Sequence, residues 1–573
     1  MLEVKARSFQ ARCARWTGQG YSLETPNILF LSSFGSPQIP FAEVWLQSTG
    51  DMGASKVLAQ GNIVVAELPG GVLKPLSQTW PISDLEEGDE RPQEDASSDE
   101  VVVMSHAFEM RRDARAFGHR IKSLREAKGF SKLIYAPGMM EVSNMALLAY
   151  MGVDLFDSAL LSYQSARGLL CRPEGTLPAK DAPWLLHDIS EASILECNLK
   201  AAWDELCLIR HMISVGRLRE LAETRVNSTP WGVASLRLFD LECYDFQEAQ
   251  TPVVGPRFYA NSRQSLHRPD IERWRRRVLE LWSPAPHKKV LLLIPCSAKK
   301  PYFTSKSHQV LRESLMSVPN AEVVQELIIT SPLGAVPREL ELFYPAAQYD
   351  IPVTGNWDLE EQRMIREQVS SAASKGFEKV VCHLGHGSDF VKESVDCLDT
   401  SEGSATSRES LHRLEEALTS LCKSFERPPR GAERTEALAS AAKFQFGRGG
   451  EALTSGCSVM GNYPYSKILD GRVQMGMLTP ERGMISLTLD GASRLMPLKR
   501  YWVETQDFDL TGNLFAVGVK DADPGIRIGD EALILRNGQL EGVGIAAMSG
   551  REMTQLRKGE AVRTRHKRRS SST

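Results

Sequence analysis

Apolar positions fall into two textures along this 573-residue chain. In the first, short apolar segments such as Ile28–Leu31, Ile63–Ala66, Val290–Ile294, Val323–Ile329 and Lys379–Leu384 stop at Pro, Gly or polar residues. Val290–Ile294, short, without polar alternation and stopped by a proline, suits a strand buried on both faces. Between these segments, charged and apolar residues recur at helical spacing over His106–Lys128, Ile271–Leu281 and Asp358–Lys375. Strands alternating with helices predict a parallel or mixed α/β sheet. Beyond about Phe444 the runs shorten, and Asn537-Gly538 sits between two of them. Both residues tolerate positive φ, so this pair predicts a hairpin in a small β-barrel.

A chain this long exceeds one core and implies roughly three to four domains. The loop Ser283-Pro284-Ala285-Pro286-His287 marks one boundary. The expected division is 1–285, 286–428, 429–498 and 499–573. From Asp84 to Glu100 nine of seventeen residues are acidic and only Arg91 is basic, so this segment reads as a solvated loop.

Net charge is -4 and the pI is near 6.3. Any nucleic-acid contact therefore rests on a local patch, and the tail Arg563-Thr564-Arg565-His566-Lys567-Arg568-Arg569 supplies one, although a basic end is often only solvated. Ten cysteines without a CxxC pair, and an N-terminus lacking a signal-peptide core, read as a reducing, cytoplasmic setting. No apolar run approaches the ~20 residues that span a bilayer.

The densest chemistry follows the run Val290–Ile294. Pro295 ends it, and Cys296, Lys299, Lys300, Tyr302, Ser305, Lys306 and His308 follow within fourteen residues of Pro295 inclusive. Open α/β sheets place their ligand crevices at the carboxyl ends of strands. Three such ends, at Cys296, at Thr330-Ser331-Pro332 and at His383-Leu384-Gly385-His386-Gly387, are expected to converge. Cys296 is the candidate nucleophile, favoured as thiolate if Lys299 and Lys300 lie nearby. One alternative is a buried, structural strand-end cysteine; a second keeps the loop functional but non-covalent, with Lys299, Lys300, Lys306 and His308 holding phosphate or carboxylate.

Three resemblances give these residues a context. Gly152-Val153-Asp154-Leu155-Phe156-Asp157-Ser158-Ala159, with Tyr135-Ala136-Pro137-Gly138 before it and Ser165-Ala166-Arg167-Gly168 after it, resembles the tRNA-guanine transglycosylases. In that family the acid matching Asp157 attacks the ribose. The chain lacks the Gly-Gly-Phe-Gln loop, the Gly-Leu-rich base-binding loop and the clustered zinc cysteines, so the resemblance implies a degenerate, TIM-barrel-related scaffold. Cys197, Cys207 and His211 lie near the family's zinc position, yet their spacing fits no tight ligand set. No cofactor is expected, zinc being the minor alternative. Asp509 to Val519 with Asp521 to Glu531 resembles a PUA domain, which implies a β-barrel binding structured RNA through residues such as Arg527, Arg563, Arg565, Lys567 and Arg568. Residues 430–498 resemble the small α+β module that precedes PUA in archaeal transglycosylase-like proteins.

Finally, Pro295-Cys296-x3-Lys300-Pro301-Tyr302-x2-Ser305-x2-His308 matches the motif of the archaeosine synthases of the alpha-subunit type. The resemblance implies a tRNA substrate carrying 7-cyano-7-deazaguanine at position 15 of the D-loop. Its nitrile becomes an amidine, with lysine as nitrogen donor and ammonia or glutamine as alternatives. It also implies a radical-type partner enzyme that finishes the lysine adduct; a homo-oligomer is left open. The residue types suit this chemistry, because a thiolate adds to a nitrile and an amine then displaces the sulfur. His308 is expected to shuttle protons, and Tyr302 and Ser305 to hydrogen-bond the developing nitrogen anion. Arg338 is expected to hold the donor carboxylate, and Glu339 or Asp350 its ammonium. Ser331, Trp357, His383 and His386 complete the expected crevice. His383 and His386 invite a metal reading, but no third ligand accompanies them. The other functions compatible with this sequence are an inert tRNA-binding accessory subunit and a residual transglycosylase using Asp157.

Overall fold

The computed structural model describes residues 1–31, 39–49, 56–60, 63–69, 100–352 and 355–568. Of the acidic segment only Glu100 falls within them, and Arg569 of the basic tail lies outside. The chain divides into two compact units, the first mainly Met1–Thr251 and the second mainly Pro252–Leu514 with most of the residues that follow. The division thus falls before the Pro284/Pro286 loop. Helix Pro269–Glu280 explains the difference, since it buries Ile271, Trp274 and Val278 in the second unit's core, where Trp274 Nε1 donates to the Ala335 carbonyl at 3.1 Å.

In the first unit an antiparallel meander, Leu2–Ser8, Ala11–Gly18 and Tyr21–Thr25, precedes a seven-stranded sheet. Its spatial order is Lys56–Gln60, Ile63–Pro69, Val44–Thr49, Asn27–Leu31, Leu155–Asp157, Leu133–Tyr135, Val101–Val103. Every neighbouring pair is parallel except the first. The late strand Leu155–Asp157 therefore lies beside the early Asn27–Leu31, and among the described residues the sheet is open. Helix Met145–Met151 is apolar on all sides and fully buried, as a core helix must be. The expected helix from His106 begins only at Ala114, where Asp113 accepts from the Ala116 N–H at 2.9 Å; a 3-10 turn, Glu109–Arg112, precedes it.

Two buried charge networks tie this unit together. Asp154 accepts from Arg12 Nε and Arg125 Nη2, both at 2.9 Å, and from the Ile134 N–H. Burial alone would raise its carboxyl, yet the two guanidinium groups and these hydrogen bonds hold it below the usual range. Arg219 is likewise clasped by Asp240 at 2.6 Å and Glu223 at 2.9 Å.

The second unit carries a five-stranded sheet in the order Gly334–Pro337, Val324–Thr330, Val290–Pro295, Lys379–Cys382, Leu398–Asp399. Only the first pair is antiparallel, so this is the mixed α/β sheet expected from the alternation of strands and helices. A four-stranded antiparallel sheet, Ser458–Met460 to Met484–Leu487, follows, and then the C-terminal sheet. In that last sheet Asn537 (φ 51°) and Gly538 (φ 72°) join Glu531–Arg536 to Gln539–Ala546, the hairpin the sequence predicts. No described helix is long and apolar enough to cross a membrane.

Asp154→Ala leaves two buried guanidinium groups without their shared partner. We expect a loss of about 3–5 kcal/mol, read as a lower urea midpoint by circular dichroism; an unchanged midpoint would show that these charges are not held by the acid.

Candidate active site

Strand Val290–Pro295 is bonded on both edges, with Pro295 opposite Ile329 and Leu293 opposite Cys382. Its first five residues are buried. Cys296 leaves the strand still in register, its N–H donating to the Ile329 carbonyl at 3.2 Å, and so comes beside Thr330 while keeping partial exposure. Burial pushes its thiol up, whereas the Thr330 hydroxyl and the Lys300 ammonium pull it back. Lys300 is held with Nζ 4.0 Å from the centre of the Tyr349 ring, and burial lowers its own pKa against the opposing pull of Cys296 and Asp350. Lys299 is exposed, its N–H bonded to Ser297 Oγ. Of the two expected cations, only Lys300 acts on the sulfur, and burial outweighs it, so the resting group is a thiol.

Tyr302 is fully buried and shares a hydrogen bond with the Tyr349 hydroxyl, which lies 2.5 Å from Thr330 Oγ1. Thr330, which closes one of the strand ends expected to converge, and Tyr349 are thus part of the site although no role was assigned to either from the sequence. Their signal was weak: one closes a strand and the other sits in a turn-rich stretch. Ser305 has a structural part. It caps helix Lys306–Met316, its Oγ accepting from the His308 N–H at 3.2 Å, because an N-terminal amide of a helix lacks an intrahelical partner.

His308 also departs from expectation. Its ring is buried, and Arg338 Nη2 donates to Nδ1 at 2.8 Å. Burial first, and the Arg338 cation second, push its pKa down to about 3. The ring is therefore neutral with its proton on Nε2 and does not titrate near neutral pH.

Arg338 is occupied as well. It binds Glu326 at 2.5 Å and Glu341 at 3.2 Å in addition to His308, which leaves no bidentate face for a donor carboxylate. Glu341 further accepts from the Phe303 N–H at 2.8 Å and the Tyr463 hydroxyl at 2.6 Å. The Arg338 pairing lowers Glu326, but for Glu341 burial wins and the carboxyl rises. Glu339 holds Trp282 Nε1 and Gln325 Nε2, so it too is a structural acid. An 840 Å³ cavity is lined by His308, Arg338, Glu341, Tyr463, Arg312 and Lys288 among others; Cys296 is not in its wall.

Ser331 donates to Glu361 at 2.5 Å. Asp350 accepts from Arg257 at 2.7 Å, and Trp357 packs on Phe390. His383 is buried between Thr400 and the Ala405 carbonyl, its pKa lowered by burial, so it is a structural ring. His386 is exposed on the same loop. Gly385 permits that loop, with φ 80° and no room for a side chain, since a Cβ there would lie only 2.8 Å from the Gly403 carbonyl oxygen.

Asp157 ends strand Leu155–Asp157 fully buried. Oδ2 accepts from the Tyr135 hydroxyl at 2.8 Å and the Gly138 N–H at 2.7 Å, and Oδ1 from the Ala159 N–H at 2.8 Å. Burial raises its carboxyl against those bonds. Cys197, Cys207 and His211 lie on one helix, Glu191–Ser214, and no three metal-ligating side chains cluster among the described residues. In the C-terminal sheet Arg565 is locked between Glu531, Oε1 at 3.0 Å, and the Leu487 carbonyl at 2.8 Å, which removes it from the expected RNA face. Lys567 reaches the Thr511 carbonyl at 2.6 Å, Arg527 the Pro524 carbonyl at 3.0 Å, and Arg563 and Arg568 are exposed.

A family model described as a domain of unknown function, DUF5591, matches residues 271–418, and a PUA-domain model matches 509–568. Archaeosine synthase subunit alpha of Methanosarcina acetivorans is 34% identical over 83% of this chain and 81% of that protein. The protein of the same name from Thermoplasma acidophilum is 32% identical over 82% and 89%. The tRNA-guanine(15) transglycosylase of Methanosphaera stadtmanae is 25% identical over 73% of this chain and 64% of its own length. A crystal structure of a protein of unknown function is 31% identical and covers 52% of this chain and 100% of its own, at a TM-score of 0.41. The class is therefore that of mixed α/β proteins related to transglycosylases and ending in a PUA domain. Within it, the chain belongs to the archaeosine synthase alpha-subunit family.

Because the folded-state pKa of His308 lies far below the 6.5 of a free imidazole, the stability owed to its neutral form is complete above about pH 6.5 and is lost as pH falls toward 3. NMR of ring-labelled histidine is expected to show no His308 titration between about pH 5 and 8; a midpoint inside that window would restore the proton-shuttle role.

Proposed function

We propose that this chain adds an amine to the nitrile of 7-cyano-7-deazaguanine at position 15 of tRNA, with Cys296 as the attacking sulfur. The observation that carries this reading is the placing of Cys296, partly exposed at the carboxyl end of the central strand, beside Thr330 and Lys300. Relatives named archaeosine synthase support the nucleoside, and those named tRNA-guanine(15) transglycosylase support the position.

In the first step the S–C bond forms at the nitrile carbon and the nitrile nitrogen takes up a proton, giving a thioimidate. The amine nitrogen then bonds to that carbon, the C–S bond breaks, and the amine's surplus proton returns to the sulfur. The sum is nitrile plus amine to amidine, with no oxidant or reductant. Lys300, near the sulfur and with its pKa lowered by burial, is suited as an ammonium to give its proton to the nitrile nitrogen and to take the thiol proton in its place. Free lysine is the proposed donor, held by groups other than Arg338, and a radical-type partner completes its adduct.

The PUA domain supports tRNA as the partner, and Arg527, Arg563, Lys567 and Arg568 are its proposed RNA contacts. The proposed organisation assigns binding to the C-terminal domain and chemistry to the α/β region 286–428, with a transglycosylase-like scaffold in front that has lost its reaction. Asp157 favours that loss, since both its oxygens are spent on protein donors.

Cys296→Ala is expected to abolish amidine formation on nitrile-bearing tRNA supplied with lysine, while tRNA affinity stays within about twofold, less than the ~1 kcal/mol of a typical lost contact. Nucleoside mass spectrometry reads the first and filter binding the second; full activity in the variant overturns covalent catalysis, and no mass gain with lysine, ammonia or glutamine in the unaltered protein favours an inert accessory subunit. Incubation with labelled guanine and unmodified tRNA is expected to give no base exchange, and incorporation of label would return Asp157 to the role of nucleophile.

A further inference from the structure

Among the buried polar groups of the second unit, one set converges on Cys296 without having a part in the addition chemistry. Thr330 is the last residue of strand Val324–Thr330 and is fully buried. It lies one step beyond the Pro295–Ile329 pair and so stands next to Cys296, whose N–H still bonds to Ile329. Its Oγ1 is 2.5 Å from the Tyr349 hydroxyl, and that hydroxyl is bonded in turn to Tyr302. Both tyrosines are fully buried.

We propose that Thr330 and Tyr349, backed by Tyr302, form a chain of hydroxyls that ends on the Cys296 sulfur and sets the pH at which the thiol ionises. Thr330 Oγ1 also lies 3.0 Å from the Ser331 carbonyl, and a hydroxyl has a single proton to give. While the sulfur is neutral, Thr330 donates to that carbonyl. When the sulfur ionises, its charge draws the Thr330 hydrogen, Tyr349 donates into Thr330, and Tyr302 donates into Tyr349. Three aligned dipoles then face the anion and polarise one another among fully buried side chains. The tyrosines stay protonated throughout, because burial holds both well above their ordinary range; they supply hydrogen bonds and do not surrender protons.

The set answers a specific problem. Burial raises the thiol, and Lys300 alone does not offset it. A hydrogen bond to a charged atom is worth roughly twice one between neutral groups, so donors that turn to the sulfur only after ionisation stabilise the thiolate selectively. Tyr349 has a second route to the same sulfur, since its ring face seats the Lys300 ammonium at 4.0 Å. Hydroxyl and ring can therefore be separated: Tyr349→Phe removes the first, and Tyr349→Leu removes both. These are positioning residues, and the inference rests on the reading of Cys296 as the reactive sulfur.

The test is alkylation of the full chain by iodoacetamide between about pH 6 and 10, without tRNA, followed by mass spectrometry at the Cys296 peptide. Thr330→Val and Tyr349→Phe are each expected to raise the midpoint by about one pH unit and to slow alkylation about tenfold at a fixed pH below it, the size of one lost hydrogen bond to charge. Thr330→Ser keeps the hydroxyl and is expected to keep the midpoint, and Tyr349→Leu to exceed Tyr349→Phe. Midpoints unmoved in Thr330→Val and Tyr349→Phe overturn the proposal, and so does a Thr330→Ser midpoint shifted as far as that of Thr330→Val. If one variant misfolds by circular dichroism, the other together with Thr330→Ser decides. No nitrile enters the assay, so a shifted midpoint with no amidine formed would sink the proposed reaction alone, and an unmoved midpoint with amidine formed would sink the hydroxyl chain alone.

Discussion

Strand Val290–Pro295 has both edges bonded and both faces covered, and the site follows from where it ends. A strand in that position has no solvent side, so the chain can reach water only past its carboxyl end. Pro295 and Cys296 stand at that point. The bond from the Cys296 N–H to Ile329 holds the residue in register for one position more, and this sets its sulfur against Thr330 and near Lys300.

What surrounds that point is dominated by the demand that buried charge be partnered. Arg338, Glu326, Glu341 and His308 form one network, joined by the Phe303 N–H and the Tyr463 hydroxyl. Leaving any one of these unpaired in a low-dielectric interior is costly. The network fixes the segment after Cys296 in place, and its members are spent in doing so. The same reasoning applies in the first unit to Asp154 with its two arginines, and to Asp157, whose buried carboxyl group is enclosed by three donors.

Residue type was a poor guide to availability. Cys296, Lys300 and Tyr302 do gather around the central strand's end. Ser305 proved to be a helix cap, His308 a neutral acceptor for Arg338, and Glu339 a partner for Trp282 and Gln325. His383 is pinned on both ring nitrogens, and Arg565 by Glu531. Each of these side chains could serve substrate or scaffold with equal chemistry, and only the neighbours choose between them. Thr330 and Tyr349 show the converse. Neither residue type is reactive alone, and their importance arises from contact with a sulfur and with each other across 34 and 53 positions of sequence from Cys296.

By itself the sequence determined what local physics and composition can fix. It set the alternation of apolar strands and amphipathic helices, the Asn537-Gly538 hairpin, the motif from Pro295 to His308, and the resemblance to the archaeosine synthases, now matched by relatives over most of the chain. Only the tertiary structure decided which polar groups are free to act. Burial raised the Cys296 thiol above its ordinary value and pushed His308 to about 3, while long-range pairing consumed Arg338 and enclosed Asp157. The reason is that desolvation and partner geometry depend on atoms brought from distant parts of the chain, and no local pattern encodes them.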